Sequence, residues 1–459
     1  MFLAAAQPRD RSPRDLYLNR NLSLIRPSNF GLWVSALFFL FLASPTPAAD
    51  FISGADFSHL FYFQNCGVVY KDTGQPQDAI TILKNHGLTS VRLRLFTSSA
   101  AQAAADPYNY TNNLAYTLPL ATRVKNAGLQ FMLDFHYSDT WADPGHQAKP
   151  AAWVGLTFTQ LLSQMRTYNS NSIAAFKAAG AMPDYVAVGN EITSGLLWPD
   201  GAVGGTNDTP GQWLKLAQLL NAAIQGIRDA SGATMPKLII HIDRGGDWAG
   251  TQWFFDSLQS QQPVPFDIIG ESYYPFWHGP LSNVLNCLTN AARRYSKPVL
   301  LAETDFPWSN STNIYGIPAT PDGQVQYLAT LAQVVKSVPG EQSAGICWWG
   351  SEYQTITNAS LAGFDKRSFF DSTGNALPIL DAMGQLVAPI RLDATLTNLN
   401  LTLSWPLSGA GLSLVNAANL PPGASWVPVT GGVWTTGRVF TATLPVSHVS
   451  SRFYRLQSN

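Results

Sequence analysis

Two glutamates, Glu191 and Glu303, carry the clearest chemistry in this sequence. Each comes at the end of a short apolar run that is typical of a buried strand. Cleavage of a glycosidic bond needs one carboxylic acid that protonates the leaving oxygen and one carboxylate on the other face of the sugar. Either glutamate alone could equally be a helix-cap neighbour or an ion-pair partner. The pair at matching strand ends favours the chemical interpretation.

Two arginines should set the charges of these carboxyl groups. Arg92 and Arg94 share one face of a predicted strand. We expect Arg94, the nearer to the C-terminal end of that strand, to keep Glu303 ionised while Glu191 stays protonated. Arg92 is expected to hold the interior of the fold together. A separation of about 5 to 5.5 Å between the two glutamates would predict retention of anomeric configuration.

The elements that position these residues follow an alternation of apolar runs and helical periods over residues 50–387, which predicts βαβ units and a parallel sheet. Eight such repeats most simply close into an α/β fold of the (β/α)8, or TIM, barrel type, with catalytic side chains at the C-terminal ends of the strands. An open doubly wound sheet is the alternative, although no glycine-rich phosphate fingerprint follows any strand. The eight runs are Phe51–Asp56, Ser90–Phe96, Leu129–His136, Tyr185–Asn190, Lys237–Ile242, Phe266–Gly270, Pro298–Glu303 and Ala344–Trp349.

The two ends of the chain differ from this middle part. Residues 1–49 combine scattered arginines, the apolar run Gly31–Ala43 and a small-residue stretch, which predicts an export signal with a long basic n-region. An uncleaved anchor is the alternative. Residues 388–459 alternate with period two between turn residues, which predicts a small all-β C-terminal domain resembling a sandwich. Its Trp405, Trp426 and Trp434 fit either core packing or carbohydrate binding.

Four longer motifs make a family resemblance specific. They are DFHYSDTWADPG at 134–145, GNEI at 189–192, SYYPFWHG at 272–279 and ETDFPW at 303–308. In this order they resemble glycoside hydrolase family 53, the endo-β-1,4-galactanases of clan A, from about Phe51 to Gln385. The resemblance implies a TIM barrel, retaining chemistry and the β-1,4-galactan and arabinogalactan side chains of pectin as substrate. It also implies that Glu191 is the acid/base and Glu303 the nucleophile.

The same motifs supply the predicted substrate-binding residues. Asn190 is expected to hold the sugar 2-hydroxyl. A tyrosine after the sixth strand should hydrogen-bond the nucleophile, and of the two adjacent candidates we favour Tyr273 over Tyr274. Indole faces suit the C–H face of galactose, although core packing is an equal interpretation for any single tryptophan. The remaining predicted substrate-binding residues are Asp56, Arg94, His136, Asp139, Trp141, Trp308 and Trp349.

Two positions depart from the family pattern. After Trp349 the family often has Glu-Pro, whereas this chain has Gly350-Ser351, which puts the eighth loop and any metal site on it in doubt. Glu271 stands where a small or apolar residue is usual. If Tyr273 faces inward, alternation places Glu271 on the same face one layer deeper. We expect Glu271 to pair with an arginine.

Composition narrows the partners. A net charge of −1 and the lack of any Lys/Arg run argue against nucleic acid, and 12% aromatic residues with only 12% charged ones suit a neutral ligand. Histidines lie on separate segments, and neither HExxH nor CxxC occurs, so no metal site and no cofactor are predicted; a calcium requirement is not supported. With only three cysteines, at most one disulfide can form.

The predicted protein is therefore a monomeric enzyme, secreted or periplasmic, that does not contact a membrane once the signal is removed. Another clan A endo-glycosidase, such as a mannanase or xylanase, shares the two glutamates and is the enzymatic alternative. A sugar-binding protein on a catalytically inactive barrel is the non-enzymatic one.

Overall fold

The computed structural model describes residues 51–459, except 311–312, 341, 357–360, 362, 398–399, 420–424, 430–431, 437, 446–451 and 459. The predicted export signal lies outside the described residues, as does the predicted turn at 421–423. Among the helices that are described, none combines the length and the hydropathy needed to cross a membrane.

Eight parallel strands close into a barrel, and this confirms the predicted (β/α)8 fold over the open sheet. The order around the barrel is β1-β8-β7-β6-β5-β4-β3-β2. Each strand overlaps one of the predicted apolar runs. The first five lie within their runs, the sixth is displaced by two residues, and the seventh and eighth are displaced by one residue each. The strands are β1 Ile52–Asp56, β2 Ser90–Leu95, β3 Gln130–Phe135, β4 Tyr185–Ala187, β5 Lys237–Ile242, β6 Ile268–Ser272, β7 Val299–Thr304 and β8 Ser343–Trp348.

Helices cover the outside of the barrel, with at least one after every strand, because parallel strands must bury both faces. They begin with N-capping side chains in several cases, such as Thr157, which forms a reciprocal capping box with Gln160 at the start of the sixth helix. The helices are α1 Leu60–Asn65, α2 Ala79–Asn85, α3 Ala100–Ala105, α4 Pro107–Tyr110, α5 Leu114–Asn126, α6 Phe158–Ala178, α7 Pro210–Ser231, α8 Trp248–Gln261, α9 Leu281–Tyr295, α10 Pro321–Lys336 and α11 Ile379–Gln385.

Side-chain alternation divides each barrel strand between two cores. The outward side chains pack under the helices in one large cluster. The inward side chains fill the lower part of the barrel, so that it is a packed core rather than a channel. This inner cluster consists of Ile52, Met132, Tyr185, Ala187, Ile239, Ile268, Leu300, Ala302 and Cys347. Cys66, Cys287 and Cys347 are all free thiols.

The C-terminal residues form two small antiparallel sheets. The first contains β9 Asp393–Thr397, β10 Asn400–Pro406, β13 Val433–Thr436 and β14 Val439–Pro445 in the order β9-β10-β14-β13. The second contains β11 Leu412–Ala417, β12 Val427–Pro428 and β15 Phe453–Ser458 in the order β12-β11-β15. Trp405 is buried against Phe440, and Arg455 lies 4.2 Å from the centre of the half-buried Trp426 ring.

The first of these sheets contacts the end of the barrel opposite to the strand C-termini. Arg438, in the turn between β13 and β14, pairs with Asp381 of α11 at 2.5 Å. Asp381 also contacts His86, which ends α2 just before β2 begins. Since the N-terminal ends of parallel strands meet at one end of a barrel, this contact lies far from the end where TIM-barrel enzymes carry their chemistry.

Candidate active site

Glu191 and Glu303 face each other at the C-terminal end of the barrel. A carboxyl oxygen of each lies within 4.8 Å of the other and of a ring nitrogen of His241. Glu303 is on β7 and is 5% exposed, whereas Glu191 follows β4 and is half-buried. The turn that delivers Glu191 is tight: Glu191 itself has φ 47°, and Gly189 has φ 102°. A Cβ on Gly189 would lie 2.6 Å from Ile192 Cγ2, so only glycine fits there.

Glu303 is held by two donors. Arg92 donates from Nη2 to Oε1 at 2.7 Å, and the hydroxyl of Tyr274 donates to Oε2 at 2.7 Å. The preference for Tyr273 is therefore wrong: its hydroxyl donates to the carbonyl of Gly279, and its fully buried ring belongs to the outer core. The reason is the phase of β6, in which Ile268 and Ser272 point inward. The next inward residue after Ser272 is Tyr274, not Tyr273.

Arg92 is the centre of the buried charge network. Its guanidinium also donates to Asp56 at 2.8 Å, to Asp134 at 2.7 Å and to the side-chain oxygen of Asn190 at 2.9 Å. Asp56 was predicted to bind substrate, but its carboxylate is 0% exposed and is taken up by arginine. We therefore assign Asp56 to positioning Arg92 rather than to contact with a ligand.

The prediction that Arg94 keeps Glu303 ionised is wrong. Its guanidinium lies 3.5 Å from Asp56, 2.9 Å from Nδ1 of His59 and 4.2 Å from the centre of the Trp141 ring. Position along a strand misled the prediction because barrel strands are tilted and staggered, so distance from a strand end does not equal height in the barrel. The buried Arg94 supports the Trp141 side chain from below.

The electrostatics separate the two glutamates. Removal from water, the charge of Glu303 and the charge of Asp243 all raise the pKa of Glu191 well above its usual value, against a hydrogen bond from Ser272 and the charge of Arg92. Burial also raises the pKa of Glu303, but Arg92 and the Tyr274 hydroxyl act in the opposite direction. Both direct hydrogen-bond donors, Arg92 and Tyr274, contact Glu303. The pair of glutamates therefore carries its negative charge on Glu303 and its proton on Glu191.

His241 is the third group near the glutamates. Burial lowers its pKa to about 3, so the ring is neutral, and Nε2 shares a 2.8 Å hydrogen bond with Ser272. Glu191, His241 and Glu303 together form the one group in the described residues whose spacing could hold a metal ion. Arg92 already supplies a positive charge 2.7 Å from Glu303, so the arrangement suits paired carboxylate chemistry better than cation binding.

Two of the other predicted residues, Asn190 and His136, belong to the hydrogen-bond network around Arg92 and Asp134. Asn190 uses its amide N–H to donate to the carbonyl of Ala142 at 2.7 Å, so its orientation is fixed from both ends. His136 is buried: its Nδ1 accepts the N–H of Ala142, and its Nε2 lies 3.1 Å from Asp134. Burial lowers the pKa of His136, which leaves a neutral ring oriented by Asp134.

The aromatic residues Trp141 and Trp349 form one wall of the cleft. Both are half-buried, and their ring centres are 6.4 Å apart with a 57° angle between the planes. Trp308 lies farther along the loop after β7, where its indole N–H donates to the carbonyl of Asp365 at 3.3 Å. Each keeps part of one ring surface available, as a sugar platform requires.

Asp139 lies at the junction of two loops rather than beside the glutamates. One carboxylate oxygen accepts the hydroxyl of Thr97 at 2.8 Å, and the other accepts the side-chain amide of Gln102 and the backbone N–H of Ala151, each at 3.0 Å. Both oxygens are occupied by protein donors. The prediction that Asp139 lines the cleft is therefore not supported by its contacts, which instead tie together the loops after β2 and β3.

Glu271 also differs from its prediction. It is fully buried on the outward face of β6, where it accepts the backbone N–H of Arg244 at 3.0 Å and the hydroxyl of Thr251 at 3.0 Å. It makes no described ion pair with an arginine side chain. Burial raises its pKa well above the usual value. A neutral carboxyl group in this place needs hydrogen bonds rather than a counter-ion.

Two residues of the site were missed. Glu352 is buried after β8, accepts the backbone N–H of His59 at 2.6 Å, and has its pKa raised to about 8 by burial and by the charge of Asp56. It follows shortly after the unusual Gly350-Ser351, which was the available signal. Trp277 is 65% exposed, with its ring centre 5.3 Å from that of Tyr274. It lies within the quoted SYYPFWHG motif, where it was not singled out.

Comparisons with known proteins identify the family of this chain. The family model described as glycosyl hydrolase family 53 matches residues 52–383. An uncharacterized protein of Niallia circulans is 40% identical over 65% of this chain and 83% of its own length. The arabinogalactan endo-β-1,4-galactanase of Thermothelomyces thermophilus is 34% identical over 72% of this chain and 98% of its own. A solved fungal β-1,4-galactanase is 33% identical and superposes with a TM-score of 0.65 over 72% of this chain and 98% of its own. On these matches the chain belongs to glycosyl hydrolase family 53 and is a glycoside hydrolase.

Proposed function

We propose that the protein is a secreted endo-β-1,4-galactanase that cleaves galactan and arabinogalactan by double displacement. The observation that supports the mechanism is the spacing of Glu191 and Glu303, whose carboxyl oxygens approach within 4.8 Å. Retaining glycosidases place their two carboxyl groups about 5 to 5.5 Å apart, whereas inverting enzymes need roughly 6.5 to 9.5 Å for an intervening water. The names of the relatives support galactan as the substrate.

In the first step, the Glu303 carboxylate attacks the anomeric carbon while Glu191 transfers its proton to the departing glycosidic oxygen. The glycosidic bond breaks and a covalent glycosyl ester of Glu303 forms. Arg92 and Tyr274 favour this step because their hydrogen bonds hold Glu303 ionised and aim it into the cleft. Burial and the neighbouring negative charges keep the proton on Glu191 until the leaving oxygen develops charge.

In the second step, Glu191, now a carboxylate, takes a proton from water as that water attacks the anomeric carbon. The ester bond breaks, Glu303 leaves as a carboxylate, and the product keeps the β configuration. Loss of the charge on Glu303 during the intermediate lowers the pKa of Glu191, because the repulsion between them disappears. The same side chain can thus serve as acid first and base second.

The sharpest test is a comparison of Glu303→Gln with the unchanged protein on galactan, xylan and mannan. We expect release of reducing ends from galactan to fall by roughly three orders of magnitude or more, since the nucleophile is lost. Proton NMR of the first product should show the β anomer. Preferred cleavage of xylan or mannan would show that galactan is not the substrate. An α anomer as the first product would show that the mechanism inverts. Binding of galactan without any cleavage would indicate a non-catalytic barrel.

The export proposal is independent of the catalytic one. It is supported by the basic n-region, apolar run and small-residue stretch of residues 1–49. N-terminal sequencing of the protein from culture medium and periplasm should find a start close to Asp50. Sedimentation of that mature protein should give a monomer of this chain. Recovery of full-length chain only from the membrane fraction would favour an uncleaved anchor.

A further inference from the structure

Arg367, in the loop after β8, lies between the two chain segments that meet at the proposed nucleophile. Its Nη1 donates to the carboxylate of Asp305, at 3.1 Å to Oδ2 and 3.4 Å to Oδ1. Its Cζ lies 4.6 Å from the centre of the Phe276 ring. Asp305 comes two residues after Glu303. Phe276 comes two residues after Tyr274. Arg367 therefore contacts both segments whose side chains form the Tyr274–Glu303 hydrogen bond.

The ion pair of Asp305 and Arg367 is largely removed from water. Asp305 is 0% exposed, and the side chain of Arg367 is 18% exposed. Among the described residues, Arg367 is the one cation that pairs with this carboxylate. Burial raises the pKa of Asp305 to about 6, against the charge of Arg367 and its hydrogen bond. The carboxylate is therefore mostly ionised at pH 7, where it holds the guanidinium in place.

The backbone of Arg367 is fixed to the barrel. Its carbonyl accepts the indole N–H of Trp348, the fully buried last residue of β8, at 2.8 Å. Its own N–H donates to the carbonyl of Phe364 at 3.0 Å, which closes a single turn of 3-10 helix. Because the backbone is held at both of its polar groups, the guanidinium is a fixed point against which the neighbouring loops can pack.

The turn after β6 connects Phe276 with Tyr274. The carbonyl of Tyr274 accepts the N–H groups of Trp277 and His278, each at 3.0 Å. The N–H of Tyr274 donates to Nδ1 of His278 at 3.0 Å. These three bonds close the turn on Tyr274, with Phe276 inside it. A guanidinium within about 6 Å of a ring centre attracts that ring, so Arg367 holds the turn through Phe276.

We propose that Arg367 and Asp305 are positioning residues for the nucleophile, because together they clamp the segment after Glu303 against the turn that carries Tyr274. The proposal rests on the function proposed above. Neither residue of the clamp has a described contact with the carboxyl group of Glu303, so both act through the hydroxyl of Tyr274. That hydroxyl donates to Glu303 at 2.7 Å. A displacement of about 1 Å can lower the rate of an enzyme by roughly a hundredfold, so a small shift of the turn is enough to matter.

The test measures kcat/KM at pH 7 on galactan and on β-1,4-galactobiosyl fluoride, since both substrates require attack by Glu303. For Arg367→Met we expect a fall of about tenfold on each substrate, less than the roughly hundredfold cost of a full 1 Å displacement. Asp305→Asn keeps the shape of the side chain and should cause a fall of the same size. The double variant Asp305→Asn/Arg367→Met should fall no further than either single variant, because the two residues act as one pair.

Two measurements separate positioning from a merely structural role. Arg367→Met added to Tyr274→Phe should cost less than about twofold more, because the hydrogen bond that the clamp serves is already absent. Arg367→Met alone should move the acidic limb of the pH profile to higher pH, since a weaker donor raises the pKa of Glu303. A structural role would lower the thermal unfolding midpoint and leave that limb in place. Arg294→Met and Asp256→Asn, which remove the partners of an exposed ion pair, are the matched controls and should change neither measurement.

The outcomes distinguish this inference from the proposed function. If the unchanged protein cleaves neither substrate, the proposed function fails, and the inference with it. If it cleaves both and the Arg367 and Asp305 variants match it, the clamp alone is overturned. A full loss that persists in the Tyr274→Phe background would also overturn it, because Arg367 would then act independently of Tyr274. A loss on galactan alone would show that Arg367 serves substrate binding instead. If circular dichroism shows that Arg367→Met does not fold, Asp305→Asn decides each of these points.

Discussion

Replacing Tyr274 by phenylalanine tests the geometry around Glu303 most directly. The change removes a 2.7 Å hydrogen bond from a hydroxyl that is almost fully buried to a carboxylate, and it leaves the ring in place. A hydrogen bond to a charged group contributes about 1.5 to 3 kcal/mol. Since one pKa unit corresponds to about 1.4 kcal/mol, the pKa of Glu303 should rise by about one to two units.

The assay is the pH dependence of kcat/KM on galactan. Glu303 must be ionised to attack, so a higher pKa of Glu303 moves the acidic limb of the profile to higher pH. At a pH on the original plateau, activity should fall by about tenfold to a hundredfold for the 1.5 to 3 kcal/mol given above. The basic limb reports Glu191, whose raised pKa places it well above the ordinary carboxyl range. That limb should move much less.

Tyr273→Phe is the matched control, because the same atom is removed one residue earlier. Its hydroxyl donates to the carbonyl of Gly279, and the ring belongs to the outer core. We expect no shift of either limb. A shift caused by Tyr273→Phe, or an acidic limb that Tyr274→Phe leaves in place, would refute the assignment of Tyr274 to Glu303.

Three further predictions follow from other contacts. Glu191→Ala should lower the activity on galactan by roughly a hundredfold to ten-thousandfold. Its activity on galactobiosyl fluoride should fall far less, because fluoride departs without an acid. Added azide should then yield β-galactobiosyl azide, detectable by NMR, and an α product would contradict the assigned roles. Arg92→Met should lower the free energy of unfolding by about 3 to 5 kcal/mol in urea denaturation, because it leaves buried carboxylates unpaired, and a stability unchanged from the original would be inconsistent with the network. Asp381 and Asp72 raise the pKa of the half-buried His86. The contact therefore stabilises the fold fully below about pH 6.5, and its contribution is lost as the pH rises through the higher pKa of the folded state. In His86→Asn, the thermal unfolding midpoint should depend less on pH over this range than it does in the unchanged protein.

Local sequence patterns were sufficient for the barrel and for the pair of glutamates. Apolar runs separated by helical periods predict parallel strands covered by helices, whichever side chains face inward. Glu191 and Glu303 were identified because both follow such runs, and the C-terminal ends of parallel strands meet at one end of a barrel. The matched family model over residues 52–383 agrees with the motifs from which the family was inferred.

The choice between neighbours could not be made in the same way. Alternation with period two predicts that every second residue of a strand faces inward. In a strand that is buried on both faces, such as Ile268–Ser272, the pattern does not show which of the two alternating sets of residues this is. The motif favoured Tyr273 over Tyr274 without fixing this phase, and alternation from an inward Tyr273 then assigned Glu271 to the wrong face of the strand. Arg94 was preferred over Arg92 because barrel stagger cannot be read from position along one strand.

The sequence by itself therefore determined the fold class, the family and the two carboxyl groups that face each other, since these depend on periodicity and on residue types within single elements. Only the tertiary structure decided which tyrosine and which arginine reach Glu303, that Asp56 is buried beneath arginines, and that Glu271 holds the loop of Arg244. Those facts depend on the phase and stagger of neighbouring strands. Both are set by packing between elements that are distant in the chain.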